Sequence, residues 1–292
     1  MEEFECKGIW WLPDDIRVHL YGTLRYSPEV GANLELQGSF ITIAESNKNN
    51  KAIKAINKDF LLRPTIILGK TVDGKFITLY KCIQTSLTQH FPGLAVSLFY
   101  AYYVFIGCHF SREADIVFKS LSINYSNLDD WSRVSGFEEN TVSDNNGQLD
   151  KIEISYTPPR IIEAKIDKFN ITISFYLDYK SKMYREYHLK QMTIIKMTSD
   201  ASVHFNNYNS EIAHHIQSFL SLAVGNAIHP NNIIGNSDAS ITKFDDGKTV
   251  FNPIYIFYKL GQFSRLPIRA DVLEMLFFYE DIIDNGSVNF YV

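Results

Sequence analysis

The sequence has few cysteines and no long apolar run, and each shortage excludes a class of protein. The three cysteines are an odd number without metal-ligand spacing, so they predict neither a disulfide framework nor a zinc site; they are Cys6, Cys82 and Cys108. Reduced thiols favour a cytoplasmic location. No stretch of about 18 uninterrupted apolar residues occurs, so we expect no membrane-spanning helix and no membrane partner.

A leader and a basic surface are also missing. The first ten residues, MEEFECKGIW, are acidic and lack the basic region and apolar run of a signal peptide. The net charge is −5, and residues 1–137 carry equal numbers of basic and acidic side chains, so residues 138–292 supply the whole excess. Neither half is basic, and the balance therefore does not indicate tight binding to nucleic acid.

Aromatic residues, by contrast, are abundant. The chain contains 21 Phe, 17 Tyr and 3 Trp, with many Ile and Thr, and 46% of its 292 residues are hydrophobic. Ring and branched side chains suit a pleated, half-buried surface, and apolar and polar residues alternate in both halves. The pattern predicts a mainly β (α+β) fold of two sandwich-like β-rich modules with a few helices.

Changes in this alternation predict the domain boundaries. The stretch EENTVSDNNGQLD has the composition of an extended connection, whereas NSEIAHHIQSFLSLAVGN, residues 209–226, has apolar residues at helical spacing. The apolar C-terminus suggests a chain that continues into another domain. The predicted parts are a first β-rich module at 1–137, a linker at 138–150, a second β-rich module with one helix at 151–265, and a C-terminal helical segment at 266–292.

One stretch imitates a phosphate-binding loop. GKTVDGKF, Gly69 to Phe76, has the glycine-lysine spacing of a P-loop, but Phe76 stands where Ser or Thr must hold magnesium. A P-loop lysine is also followed by a helix, whereas KFITLYKC alternates like a strand. Asp73-Gly74 between two apolar runs instead predicts a β-hairpin.

Other catalytic and metal-binding patterns are equally weak. His214 and His215 are adjacent on the predicted helix, so their side chains point about 100° apart and cannot grip one metal ion. Neighbouring acids such as Asp129-Asp130 are more often solvated turns than converging catalytic pairs. The sequence therefore predicts no catalytic residue, no metal ligand and no cofactor.

Five residues are candidates for contact with a ligand or partner. Trp10 and Trp11, with the tyrosines near residue 100, suggest a stacking face, although aromatics at strand spacing more often pack in a core. Asp129, Asp130 and Trp131 lie together at the end of a strand-like run. A purely structural interpretation of this second group is a turn or helix cap with an aromatic anchor.

Several stretches taken in order resemble a known family. These stretches are GIWWLPDD, GTLRYSPEVGANLELQGSF, IILGKTVDGKFITLYKC, YYVFIGCHFSREADIVFKSLSINYSNLDDWSRVSGF and IQSFLSLAVGN. Their order and spacing resemble the N-terminal region of ApeA-type anti-phage defence proteins, which carry a C-terminal HEPN domain.

The resemblance implies a β-rich region joined in cis to a HEPN ribonuclease, which aborts infection when a phage-derived trigger is sensed. A HEPN active site uses Arg followed after four to six residues by His, and no arginine of this chain has a histidine at that distance. The nearest approach, Arg185 to His188, is too short. The family's catalytic residues therefore have no counterpart here, and this chain by itself is not predicted to be an enzyme.

These observations lead to one hypothesis and two alternatives. The hypothesis is a non-catalytic recognition and regulatory region of an anti-phage, abortive-infection HEPN ribonuclease. The first alternative is a self-contained β-sandwich protein that binds or hydrolyses a ligand in a pocket gathering Trp10, Trp11 and converging carboxylates. The second is a homo-oligomerisation module whose interface is the helix from Asp271 onward.

Overall fold

The mainly β prediction is confirmed. A computed structural model describes residues 1–40, 65–89, 93–183, 185–243 and 249–260. The polar stretch Ala44–Phe60 and the predicted helical segment 266–292 lie outside these residues. The strands in the described residues are β1 Phe4–Leu12, β2 Asp15–Ser27, β3 Gly31–Gln37, β4 Thr65–Thr71, β5 Phe76–Gln89, β6 Ala95–Ile106, β7 Val117–Tyr125, β8 Phe137–Ser143, β9 Leu149–Tyr156, β10 Ile162–Ile166, β11 Phe169–Lys182, β12 Glu186–His204, β13 Pro230–Asn236, β14 Ile241–Lys243, β15 Thr249–Phe251 and β16 Ile254–Tyr258.

Helices are few and short. They are α1 Leu128–Ser132, α2 Phe205–Tyr208 and α3 His214–Val224, with a π-helical turn at Asn209–Ala213 and 3-10 turns at Glu113–Asp115 and Asp238–Ser240. The predicted helix around residues 210–224 is therefore present. The helical segment begins earlier than the predicted stretch 209–226, because His204 accepts a hydrogen bond from the Asn206 N–H and caps α2.

The chain divides into two compact units, each built from separate segments. The barrel unit comprises the described residues of 1–121, 201–214 and 231–260, and the second unit comprises those of 122–200 and 215–230. The predicted modules, in contrast, are consecutive along the chain. The expected linker at 138–150 forms most of the antiparallel β8–β9 hairpin, whose side chains are almost all exposed.

Six strands of the barrel unit close into a ring in which all pairs are antiparallel. The order is β1-β2-β3-β6-β5-β4, and β4 pairs again with β1. Strand β6 pairs with β5 along one edge, while its other edge pairs with β3 at residues 96–101 and with β16 at residues 103–106. Where the sequence suggests a sandwich-like module, hydrogen bonding thus produces a barrel, which has fewer unpaired edges.

Alternate side chains along each strand point into the barrel and form its core. In β3 the side chains of Ala32, Leu34 and Leu36 are buried, while those of the residues between them are exposed. The same period places Trp10 wholly inside, in a core of apolar side chains from all six strands. Gly69 lies against the Trp10 ring, and a Cβ at that position would overlap it.

The predicted hairpin at Asp73-Gly74 is confirmed. Strand β4 ends at Thr71 and β5 begins at Phe76, with the register Lys70↔Phe76. Gly74 has φ +85°, which side chains disfavour, and its N–H donates to the Thr71 carbonyl at 2.9 Å. The stretch that imitates a P-loop is therefore a tight turn between strands.

The second unit contains the antiparallel strands β10, β11 and β12. Strand β11 buries Phe169, Ile171, Ile173 and Phe175 in alternation, and from Tyr176 onward its side chains are mostly exposed. Helix α1 follows β7 and contacts α3, where the ring of Trp131 meets Phe219 edge-on. These contacts position the acidic pair that the sequence suggested as a site.

The contact between Gly69 and Trp10 predicts a sensitive position in the barrel. Gly69→Ala should lower the free energy of unfolding by about 2–3 kcal/mol, because the added methyl group has no space beside a wholly buried ring. Urea unfolding measures the change. Lys70→Ala, at the exposed next position, is the control and should cost no more than about 1 kcal/mol, because it removes only a cation–π contact with Phe76. Equal effects of the two substitutions would contradict the packing argument.

Candidate recognition groove

A groove of about 1250 Å³ opens in the wall of the barrel unit beside the first half of β1. It is larger than the roughly 300–1,000 Å³ of a typical small-molecule pocket. Its lining comes from the start of the chain, the β4–β5 turn, the facing ends of β5 and β6, the start of β13, and β16: Glu2–Lys7, Thr71–Asp73, Lys75, Ile77, Ile106, Gly107, Asn231, Asn232, Pro253, Tyr255 and Phe257.

The groove exists because β1 is paired along only part of one edge. Strand β2 pairs with β1 from Phe4 onward, but β4 pairs with β1 only from Gly8 to Trp11. The last backbone bond on that edge runs from the Val72 N–H to the Lys7 carbonyl, at 3.0 Å. Alternate residues of a strand direct their N–H and C=O groups to the same edge. Glu5 therefore directs both groups into the groove, where no strand of the described residues pairs with it.

Aromatic rings form the apolar end of the groove. Phe4 contacts Phe257 edge-on, with ring centroids 5.0 Å apart, and stacks on Tyr26 at 5.3 Å. The Tyr26 hydroxyl donates to the Tyr258 carbonyl at 2.8 Å, which holds β16 beside the barrel. Burial raises the pKa of Tyr26, so its hydroxyl remains a donor. At the rim, Val72 is 87% exposed and offers an unusually bare apolar side chain.

Carboxylates outnumber ammonium groups along the lining. Of the described side chains that line the groove, four are acidic and two are basic, which leaves two negative charges in excess. Asp73 pairs with Lys75 at 2.8 Å, and the hydrogen bond from this ammonium lowers the pKa of the Asp73 carboxyl. Glu5 pairs with Arg25 at 2.8 Å. Glu3 has no ion pair with any described residue, whereas the Glu2 carboxylate interacts electrostatically with the Met1 ammonium. These two carboxylates lie beside the mouth of the groove and make it acidic.

Cys6 lies half-buried in the groove but is a poor nucleophile. Burial, with a smaller contribution from the nearby Asp73 carboxylate, raises the pKa of its thiol to about 11. At neutral pH the group is a protonated thiol, whereas nucleophilic attack requires the thiolate. The chemistry available in this groove is therefore noncovalent binding through backbone, apolar and charged groups.

The two predicted tryptophans lie on opposite faces of β1, and neither lines the groove. Trp10 is fully buried in the barrel core, so it has no surface for a ligand or partner. Trp11 is half-buried on the outside, where the rings of His19 and His109 each meet it edge-on at 5.2 Å. The predicted contact role thus stays a prediction for Trp11 and is replaced by packing for Trp10.

His109 fixes the outer cluster around Trp11. Its Nε2–H donates to the Gly69 carbonyl at 2.8 Å, and burial lowers its pKa. Phe76, which is 45% exposed, contacts the same imidazole at 4.8 Å. A neutral, hydrogen-bonded imidazole between two aromatic rings is a packing element of the barrel surface.

The other three candidate residues point in different directions from α1. The Asp129 carboxylate accepts a hydrogen bond from the N–H of Thr193, which is buried, at 2.6 Å. Asp130 is exposed, and the Trp131 ring contacts Phe219. The acids therefore do not converge, and the contacts of Asp129 and Trp131 are those of a docked turn.

The groove residues were not among the sequence candidates. The alternation of Glu3, Phe4, Glu5, Cys6 and Lys7 signals a strand, but a single strand pattern does not show which edge will be paired. Only the partners of β1 reveal the free edge.

The described residues contain neither a metal-binding cluster nor a membrane-spanning helix. No three His, Cys, Asp or Glu side chains in this part of the chain are grouped to hold a metal ion. Among the same residues, no helix has the length and apolarity needed to span a membrane.

The chain matches a known protein family. The family model of ApeA N-terminal domain 1 matches residues 5–289, almost the whole chain. No curated protein and no solved structure matches the chain.

The acidic pair allows a matched test of the α1 turn. Asp129→Ala should lower the free energy of unfolding by about 1–3 kcal/mol, because it leaves the buried Thr193 N–H without its acceptor. Asp130→Ala should change it by less than about 0.5 kcal/mol, since this side chain is exposed. Urea unfolding of both variants measures the two changes. A larger loss of unfolding free energy in Asp130→Ala would contradict the structural role given to Asp129.

The raised pKa of Cys6 predicts its reactivity. At pH 8 the folded protein should react with iodoacetamide at Cys6 about a hundredfold more slowly than a thiol of pKa about 9, because the thiolate fraction is that much smaller. The rate should keep rising up to about pH 11. Mass spectrometry follows the labelling, with circular dichroism as the control for folding. A rate that levels off near pH 9 would contradict the raised pKa.

Proposed function

Because the chain belongs to the ApeA N-terminal domain 1 family, we propose that it is the recognition and regulatory region of an anti-phage defence protein. The ribonuclease activity of that protein would reside in a HEPN domain joined in cis, in the cytoplasm. The family match over residues 5–289 is the observation that carries this proposal. It requires no cofactor and no catalytic residue in this chain.

The groove supplies a physical basis for recognition. Within the barrel unit it combines a strand edge that no described strand pairs with, aromatic walls and an excess of acidic side chains among the described lining residues. A partner that fills this surface forms hydrogen bonds with the strand edge and buries the aromatic walls, and both effects favour binding. A phage-derived trigger bound there would act by favouring one conformation of the protein over another.

Thermodynamics sets how strongly the trigger must discriminate. A shift from about 1% to about 99% of the active conformation requires binding about 10⁴-fold tighter to that conformation, or about 5.5 kcal/mol. Two or three additional backbone hydrogen bonds together with burial of an aromatic wall are of that order. Abortive infection then follows when ribonuclease activity is released only in infected cells.

The alternatives have less support. A self-contained ligand-binding or hydrolytic protein called for Trp10, Trp11 and converging carboxylates in one pocket, and neither tryptophan lines the groove. The helix proposed as a homo-oligomer interface lies outside the described residues. The recognition function rests on features that the described residues do contain.

The proposal predicts that this chain alone does not cleave RNA. Labelled single-stranded RNA incubated with the chain should remain intact to the level of a buffer control, whereas the protein that includes the HEPN domain should cleave it once triggered. Gel electrophoresis measures both. Robust cleavage by the chain alone would sink the proposal.

A matched pair of variants in the complete protein links the groove to this function. Val72→Asp places a charge at the rim, and Val142→Asp places one on the exposed β8–β9 hairpin. Protection against phage in a plaque assay should be lost with Val72→Asp and kept with Val142→Asp, at equal protein levels. Loss of protection with Val142→Asp alone would assign recognition to the other unit.

A further inference from the structure

We propose that the groove binds an extended, basic segment of another protein, which adds to the barrel as a strand on the free edge of β1. This inference rests on the proposed function, because it names the class of partner that the groove recognises. Backbone geometry, the shape of the walls and the charge of the lining each support it.

The backbone defines the binding mode. The N–H and C=O groups of Glu5 face the groove, and Lys7 marks where pairing with β4 ends. An unpaired strand edge is a template for an added strand, since main-chain hydrogen bonds form without regard to the side chains of the partner. About four residues of an extended segment, roughly 14 Å long, would cover the chain from Glu3 to Cys6, because the Lys7 carbonyl is already bonded to the Val72 N–H.

Side-chain alternation on β1 defines the sequence of the partner. Phe4 and Cys6 point to the apolar side of the strand, while Glu3 and Glu5 lie on its exposed side. An added strand shares this alternation. Every second residue of the segment should therefore be apolar, and the residues between them should be Lys or Arg.

The charge of the lining selects a peptide over a nucleic acid. Four carboxylates against two ammonium groups repel phosphates and attract cationic side chains. Glu3 has no ion-pair partner among the described residues, so it offers the stronger attraction, whereas Glu5 is shared with Arg25. The cationic side chains of the segment should therefore concentrate toward Glu3 and away from Lys7.

A short synthetic peptide tests the binding mode. The probe is a blocked hexapeptide of alternating Lys and Val, titrated into the full chain by isothermal calorimetry. Two N-methylated forms are compared, one methylated at the Lys amides and the other at the Val amides. Only one set of amides can face β1, so one form should lose at least about tenfold in affinity and the other should bind like the parent. Equal binding of both forms, or no binding of the parent, overturns the proposal.

Charge exchange tests the preference for a basic segment. Glu3→Lys should weaken binding of the Lys-Val peptide by about two- to fivefold and strengthen binding of a Glu-Val peptide by a similar factor. Glu29→Lys, an exposed acid that does not line the groove, is the control and should alter neither affinity. Equal effects of the two substitutions would show that net charge, and not the groove, governs binding, and would overturn the assignment.

The other occupant to be tested is a second copy of the chain. Sedimentation should show a monomer whose mass does not change when the peptide is added. A dimer that the peptide dissociates would assign the free edge to self-association and overturn the proposal. These measurements contain no RNA, so their failure leaves the proposed regulatory function standing, whereas RNA cleavage by the chain alone removes that function without changing a measured peptide affinity.

Discussion

Strand β6 connects three neighbours, and the barrel unit depends on these pairings. One edge of β6 is hydrogen-bonded to β5. The other edge is hydrogen-bonded to β3 along its first half and to β16 along its second half. The first two pairings help close the ring around Trp10, and the third holds Phe257 against Phe4. Because each backbone group of a buried strand must find a partner, this sharing of edges decides where the barrel is complete and where it is open.

The groove follows from the position of one turn. Asp73-Gly74 ends β4 opposite Lys7, so the first residues of β1 extend beyond their neighbour on that edge. Aromatic rings from β1, β2 and β16 close the space behind this edge, while Glu2 and Glu3 leave its mouth acidic. A longer β4 would have paired Glu5 and removed the binding surface. The hairpin whose sequence resembles a P-loop therefore does not bind phosphate. It creates the groove because β4 ends early, before it can pair with Glu5.

Much of the fold could be predicted, but little of the site. Alternation predicted the β-rich class, Asp73-Gly74 predicted the hairpin, and apolar spacing predicted the helix near residues 210–224. The candidate site residues were not brought together in the structure, because adjacent residues in the sequence can direct their side chains to different sides of a strand or helix. Trp10 and Trp11 are neighbours that face inside and outside the barrel, and Asp129 is bound to a backbone N–H while Asp130 is exposed.

The sequence by itself determined the local structure and the family, since both depend on side-chain patterns that are readable within short stretches. The tertiary structure decided which edges are paired and which residues share a unit. The stretch 138–150 has the composition of a linker, yet its backbone groups find partners across a hairpin. Strand partners come from distant parts of the chain and are chosen by the packing of the whole core. The free edge of β1, and the groove beside it, therefore became visible only in the folded protein.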